Sequence, residues 1–181
     1  NIHQADVLKF NFTQILPQTG KVRVIGNLPY NISTPILFKL LNHAEKIADM
    51  HFLLQQEVVD RMTATPGNKQ YGRLSIMTQY FCEATPAIKV PATAFIPQPK
   101  VQSRTVHLTP HPTPKYQAHD FEHFKNIVKT AFSSRRKTIH NGLKKIIHTQ
   151  DLQQINISPR CRPEELSVAQ FVRISNEIKV L

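Results

Sequence analysis

The sequence predicts an α/β sheet domain, half of a doubly wound sheet, followed by a small all-helical domain. Three observations predict it. Val22–Leu41 reads as a short apolar strand (Val22–Ile25), a polar break (Gly26-Asn27-Leu28-Pro29-Tyr30) and an amphipathic helix. Strand and helix patterns then alternate as far as Leu108. Finally, Pro110-His111-Pro112-Thr113-Pro114 places three prolines in five residues, which neither a helix nor an inner strand accommodates, and everything after it has helical spacing. The expected division is residues 1–112 for the sheet domain and 115–181 for the helical one.

The elements follow in order. Ile2 to Val7 is expected as the end of a strand, with Asp6 at its carboxyl tip. Gln18-Thr19-Gly20-Lys21 is a turn. The Val22 strand is apolar on both faces, the pattern of an inner parallel strand. Few strands precede it for pairing, and a bare inner edge invites aggregation. Further sheet sequence is therefore expected upstream of residue 1. In the next helix Pro35 suits the first turn, where its missing N–H would be unpaired anyway, and Ser33 or Thr34 is the expected N-cap. Ile36, Leu37, Leu40 and Leu41 give that helix one apolar face.

Ala48–Gln55 reads as a second buried strand and Glu57–Met62 as a short helix. Tyr71–Cys82 has helical spacing through Leu74, Met77, Tyr80 and Phe81. Glu83–Val90 and Thr105–Leu108 are expected as an antiparallel strand pair, joined by a proline-rich loop from Pro91 to Pro99. Beyond the proline run, helices are expected at Asp120–Ser133, Arg136–His148, Asp151–Gln154 and Val168–Val180, with Asp120 and Ser167 as N-caps.

The formal net charge is +11 over 181 residues, which favours polyanionic partners, nucleic acid first and an anionic membrane surface second. No apolar run reaches the roughly 18 residues of a membrane span, so no membrane partner is expected. The two cysteines, Cys82 and Cys161, form no CxxC pair and read as reduced thiols of a cytoplasmic protein. None of the nine histidines stands in an HxxxH or HxH spacing beside an acid, so local spacing marks no metal site.

The chemistry concentrates at Asn27-Leu28-Pro29-Tyr30. This tetrapeptide lies at the carboxyl end of a strand, where open α/β sheets bind ligands. On four letters alone a plain strand-to-helix turn would explain it, since Asn and Pro are ordinary turn residues. Its position in a basic chain favours a base-binding role. Methylating an exocyclic base amine requires the nitrogen lone pair to be drawn out of conjugation with the ring. A site that accepts hydrogen bonds from both amine protons favours that pyramidal form. The Asn27 side-chain oxygen can accept one, and the Leu28 carbonyl the other. Pro29 biases Leu28 toward an extended conformation, so that carbonyl is aimed. Tyr30 offers a flat face for an unstacked base, a contact worth about 1–3 kcal/mol.

The stretch Val24-Ile25-Gly26-Asn27-Leu28-Pro29-Tyr30-Asn31-Ile32-Ser33-Thr34-Pro35 resembles the amine-binding motif of the bacterial small-subunit (16S) ribosomal RNA adenine dimethyltransferase A family almost letter for letter. Further matches are Gln56–Arg61, Tyr71–Ser75, Ala94-Phe95-Ile96-Pro97-Gln98-Pro99-Lys100-Val101 and Phe132–Thr138, in the family's order and across nearly the whole chain. The resemblance implies a Rossmann-like class I methyltransferase sheet. It also implies S-adenosylmethionine as donor and N6,N6-dimethylation of two adjacent adenines near the 3′ end of small-subunit rRNA, by a monomer acting on the 30S subunit. By the same resemblance Asn27 serves both the cofactor's methionine end and the target amine, and Tyr30 stacks on the flipped adenine. The resemblance puts Phe95 at the rim of the active site, able to pack against the target base, while by its residue type it could equally plug the sheet end as a core phenylalanine; it also implies that Asp6 accepts from the cofactor's adenine amine. The family's glycine-rich loop and its ribose-binding acid belong upstream of residue 1. These 181 residues alone are therefore expected to bind S-adenosylmethionine poorly and to transfer no methyl.

From His123 through Gln150 there is no Asp or Glu, while Lys125, Lys129, Arg135, Arg136, Lys137, Lys144 and Lys145 all fall within the stretch. A solvated helix face usually mixes both signs, so this run points to phosphate contact. Lys100 and Arg104, beside the Phe95 loop, are further candidates. Two other readings exist: a non-catalytic RNA-binding or ribosome-assembly module with a vestigial pocket, and a large-subunit adenine methyltransferase of the antibiotic-resistance type. The intact Asn27–Tyr30 motif and Phe95 loop oppose the first. The close match through Pro35 and at Arg135–Thr138 opposes the second.

Overall fold

The computed structural model describes residues 1–113, 115–134 and 136–178. They form two compact units, residues 1–60 with 81–113, and residues 61–80 with 114–181.

The first unit is built on a four-stranded sheet of order β1-β2-β4-β3, with β1 Val22–Asn27, β2 Ile47–Gln55, β3 Cys82–Val90 and β4 Ser103–Pro110. β1 and β2 run parallel and are joined through helix α1 (Ser33–Leu41), as a parallel pair requires. β4 pairs antiparallel with both β2 and β3, so the expected pairing of the last two strands holds. Register separates the two faces of the sheet. Met50 sits opposite Leu108 and Phe52 opposite Val106, and all four are buried. With Ile36, Leu37, Leu40 and Leu41 of α1 they make up much of this unit's core. One residue out of step, His51 faces His107 and Leu53 faces Thr105, and these are half-buried.

Four local expectations change. Residues 2–7 form no strand: Asp6 opens a turn whose carbonyl accepts from the N–H groups of Lys9 and Phe10. The short polar side chain explains it, because Asp6 Oδ1 accepts from the Leu8 N–H at 2.9 Å and so competes with strand pairing. β1 is not buried on both faces. Ile25 is 75% exposed, on the face it shares with Arg23 and with Asp49 and His51 of β2. α1 starts at Ser33 with Ile32 at the cap position, and Ser33 Oγ donates to the Tyr30 carbonyl at 3.2 Å instead of capping. Thr34 lies inside the first turn.

The fourth change is in the second unit. Chain passage into it falls within α2 (Gln56–Thr63), and α3 (Arg73–Phe81) leads back. Its C-terminal part contains α4 (Phe121–Ala131), α5 (Ile139–Leu143), α6 (Thr149–Gln154) and α7 (Val168–Glu177). Asp120 and Ser167 are N-caps as expected, accepting from the N–H groups of His123 at 3.0 Å and Gln170 at 3.3 Å. The expected helix over Arg136–His148 shrinks to α5. Thr138 accepts from the Asn141 N–H and fixes the start, and the Leu143 carbonyl then accepts from both Ile146 and Ile147, tightening the last turn. Ile139, Leu143 and Ile147 are nonetheless all buried, so the four-residue apolar spacing survives without a continuous helix. Phe124, Ile127, Val128, Ala131, Phe171 and Ile174 complete this core, with Phe124 stacked on Tyr80 at a centroid distance of 4.7 Å.

Candidate active site

β1 ends at Asn27, where parallel pairing to β2 stops, and Leu28 prolongs the contact by donating its N–H to the Leu53 carbonyl at 3.4 Å. A turn follows. The Pro29 carbonyl accepts from the Ile32 N–H, and the Tyr30 carbonyl accepts from Ser33 Oγ. The two acceptors expected to matter are left over. Among the described residues the Leu28 carbonyl accepts no hydrogen bond, and the exposed Asn27 side chain makes none. Gly26 keeps the strand end slim: a Cβ there would meet Leu28 Cδ2 at 3.0 Å and Phe52 Cδ1 at 3.5 Å.

Tyr30 is held from its far end. Its hydroxyl shares a hydrogen bond of 2.5 Å with Ser103 Oγ, on the fully buried first residue of β4. Sequence reasoning missed Ser103, and no local signal marks it, because 73 positions separate it from Tyr30. Phe95 ends a 3-10 turn, Ala92–Ala94, inside the proline-rich loop. The fold brings it to Asn27, Leu28, Pro29 and Tyr30, and together with Pro97 and Pro99 these residues line an open cleft of about 310 Å³. Two aromatic rings and stiff proline walls thus surround two free oxygen acceptors. Such a cleft can take a flat, unstacked ring and bind an exocyclic amine by accepting both of its protons.

The other sequence candidates are placed as follows. Asp6 is half-exposed in its turn, with Lys9 Nζ at 4.0 Å. Lys100 is exposed in the loop before β4. Arg104 is half-buried, 3.4 Å from Asp60 and within reach of the Ala87 carbonyl. In the second unit Arg136 and Lys137 are exposed just ahead of α5, and Lys144 and Lys145 are exposed just after it. At 1.5 Å per residue the five residues of α5 span about 7.5 Å, so the two basic pairs flank one short helix. Arg135 lies outside the described residues. Lys125 is tied to Glu122 at 2.9 Å. Burial pushes the Cys82 thiol up to about 12, which leaves it a protonated, inert core residue.

The ribosomal RNA adenine dimethylase family matches residues 1–180. The chain is 48% identical over 181 residues to a ribosomal RNA small subunit methyltransferase A of Pseudomonas aeruginosa, covering 100% of this chain and 68% of that one. It is 46% identical over 177 residues to the protein of the same name from a Shewanella species, covering 98% and 66%. The chain thus spans about two thirds of the length of these curated relatives. Among solved structures it superposes on a dimethyladenosine transferase from Plasmodium falciparum with a TM-score of 0.79 at 25% identity, covering 95% of this chain and 70% of that one. It also shares its fold with the 23S rRNA methyltransferase ErmE, at a TM-score of 0.68, 21% identity, and coverage of 96% and 70%. The chain belongs to the ribosomal RNA adenine dimethylase family.

Proposed function

We propose that this chain supplies the adenine-binding side of an S-adenosylmethionine-dependent dimethyltransferase. Its substrates are two adjacent adenines near the 3′ end of small-subunit ribosomal RNA. The observation that carries the reading is the pair of unengaged acceptors, the Asn27 side chain and the Leu28 carbonyl, in a cleft walled by Tyr30 and Phe95. The names of the relatives support the substrate class.

The residues present fit the donor. Asp6 is a half-exposed carboxylate with acceptor capacity to spare, able to hold the donor's adenine amine, and Asn27 is free to meet its methionine end. When bound, S-adenosylmethionine supplies a methyl group activated by its sulfonium centre. The chain's own residues do the rest. Tyr30 and Phe95 receive the flipped base and exclude water from its faces. Asn27 Oδ1 and the Leu28 carbonyl accept hydrogen bonds from the two N6–H groups, which frees the nitrogen lone pair to act as the nucleophile. The hydroxyl of Ser103 fixes the Tyr30 ring, so that the stacking platform is preorganised. No side-chain base is needed, because the displaced proton leaves to water after the displacement.

The test is mass spectrometry of ribosomal RNA from undermodified small subunits incubated with the full-length protein and donor. Two adjacent N6,N6-dimethyladenines are expected. Methylation of a large-subunit adenine instead would overturn the reading.

Subunit docking rests on the basic residues of the second unit. The exposed pairs Arg136–Lys137 and Lys144–Lys145 stand at either end of α5, and no acid occurs in the sequence between them. Each phosphate neutralised contributes about −0.7 to −0.9 to the slope of log K against log salt. Replacing Arg136 and Lys137 by Ala is expected to weaken subunit binding and to flatten that slope by about 1–2. Filter binding at several salt concentrations measures it, and an unchanged slope would exclude these two residues from the interface.

A further inference from the structure

The half-buried face of the sheet carries a second cluster of chemistry-bearing residues. Arg23 on β1 lies in register with Asp49 on β2, and His51 on β2 lies opposite His107 on β4. The Asp49 carboxylate is gripped by Arg23 through two hydrogen bonds, Nε to Oδ1 at 2.7 Å and Nη2 to Oδ2 at 2.8 Å. His51 Nε2 stands 3.6 Å from Oδ1, and His107 Nε2 stands 3.9 Å from Oδ2. The two imidazoles are stacked, with centroids 4.3 Å apart and planes within 15°. Asp49, His51 and His107 each turn one ligand atom into a common space, all within 4.8 Å of one another.

We propose that Asp49, His51 and His107 form a binding site for a divalent transition-metal ion, zinc in the first instance. Two imidazole nitrogens and one carboxylate oxygen are a donor set zinc accepts, leaving a fourth position for water. Zinc bonds of about 2.0–2.2 Å in a tetrahedron put neighbouring ligand atoms about 3.3–3.6 Å apart. The two histidine-to-carboxylate distances, 3.6 and 3.9 Å, are close to that already, and small side-chain rotations close the rest. The ligands sit on adjacent hydrogen-bonded strands, so the backbone spacing is set before any ion arrives. Arg23 fits the part of an outer-shell partner. It uses two of the carboxylate's four lone-pair positions and orients both oxygens. Thr109 Oγ1, 3.5 Å from His107 Nε2, is the competing partner that an ion would displace. The competing account is a polar patch of ordinary cross-strand pairs.

Local sequence hides this site. Asp49 and His51 are adjacent on one face of β2, but the third ligand arrives from a strand 56 positions later and only through antiparallel register. The site is separate from the adenine cleft: Arg23 and Asn27 are four residues apart on β1, about 13 Å at 3.3 Å per residue.

The experiment is calorimetric titration of zinc chloride into the chelator-treated protein, alongside His51→Gln, His107→Gln and a control, His148→Gln. Both cluster imidazoles are about two-fifths exposed, so the substitutions leave no core cavity, and circular dichroism checks the fold. One ion per chain is expected for the parent. Affinity should fall at least about 10-fold in each cluster variant, within the loss typical of a missing ligand or orienting partner, and should be unchanged in His148→Gln. Cobalt(II) should give the visible bands of a four-coordinate site in the parent and lose them in His107→Gln. The proposal is overturned if the parent binds no stoichiometric zinc, or if a His51→Gln/His107→Gln double variant binds it as tightly as the parent.

Discussion

Asn27→Ala is expected to lower kcat for adenine methylation by the full-length protein on the order of 100–1,000-fold, the scale on which loss of one preorganised polar group at a reacting centre is felt. The reasoning is geometric. Asn27 lies on the last residue of β1, its side chain is exposed and makes no hydrogen bond among the described residues, and it opens onto the cleft with Leu28, Tyr30 and Phe95. A side chain that contributes nothing to the fold is free to be spent on the reaction. Stability should therefore change by no more than about 0.5 kcal/mol, and urea denaturation checks that half of the prediction. Asn27→Asp keeps an oxygen acceptor at the same place and should lose less than Asn27→Ala. Equal losses in the two variants would show that the acceptor oxygen is not what Asn27 contributes. A rise in KM with kcat unchanged would assign Asn27 to uniform binding, equal in the ground and transition states.

Phe124→Ala is expected to cost about 3–5 kcal/mol of stability, the range for deleting a fully buried aromatic side chain. Phe124 is 0% exposed, stacks on Tyr80 at 4.7 Å and lies 6.2 Å from the Phe121 ring. Its truncation opens a cavity in the middle of α4's buried face, beside Ile127 and Val128. Phe124→Leu keeps most of that volume and should cost clearly less. Urea unfolding followed at 222 nm measures both, and a loss under 1 kcal/mol for the alanine variant would mean the site collapses to fill the void. Such a loss is a large fraction of the roughly 5–15 kcal/mol that holds a typical domain.

The strands and helices near the site were legible because their signals are local. The apolar run Val22–Ile25 marks β1, which continues through Gly26 to Asn27 before the turn, and Pro35 sits in the first turn of α1. Asp120 and Ser167 cap α4 and α7, each accepting from the N–H three residues on. Residues 2–7 form no strand because the Asp6 side chain, expected at a strand tip, closes a turn on Leu8 instead. The helix after Arg136 misled because Ile139, Leu143 and Ile147 keep helical spacing and burial while the backbone tightens at Leu143.

Chain-local chemistry thus decided where the acceptor motif sits, which residues it offers, and that a basic helical part follows the proline run. Tertiary structure decided what meets it. The Ser103 hydroxyl reaches Tyr30 across 73 positions, and the Phe95 loop closes on Asn27–Tyr30 to make a cleft. Arg23 clasps Asp49, and His107 lands on His51. The physical reason is register. A side chain's turn or cap depends on neighbours a few bonds away, whereas cross-strand partners are chosen by how whole strands align. One residue of slip would set Met50 against His107 and His51 against Val106, undoing the core pair and the histidine pair together.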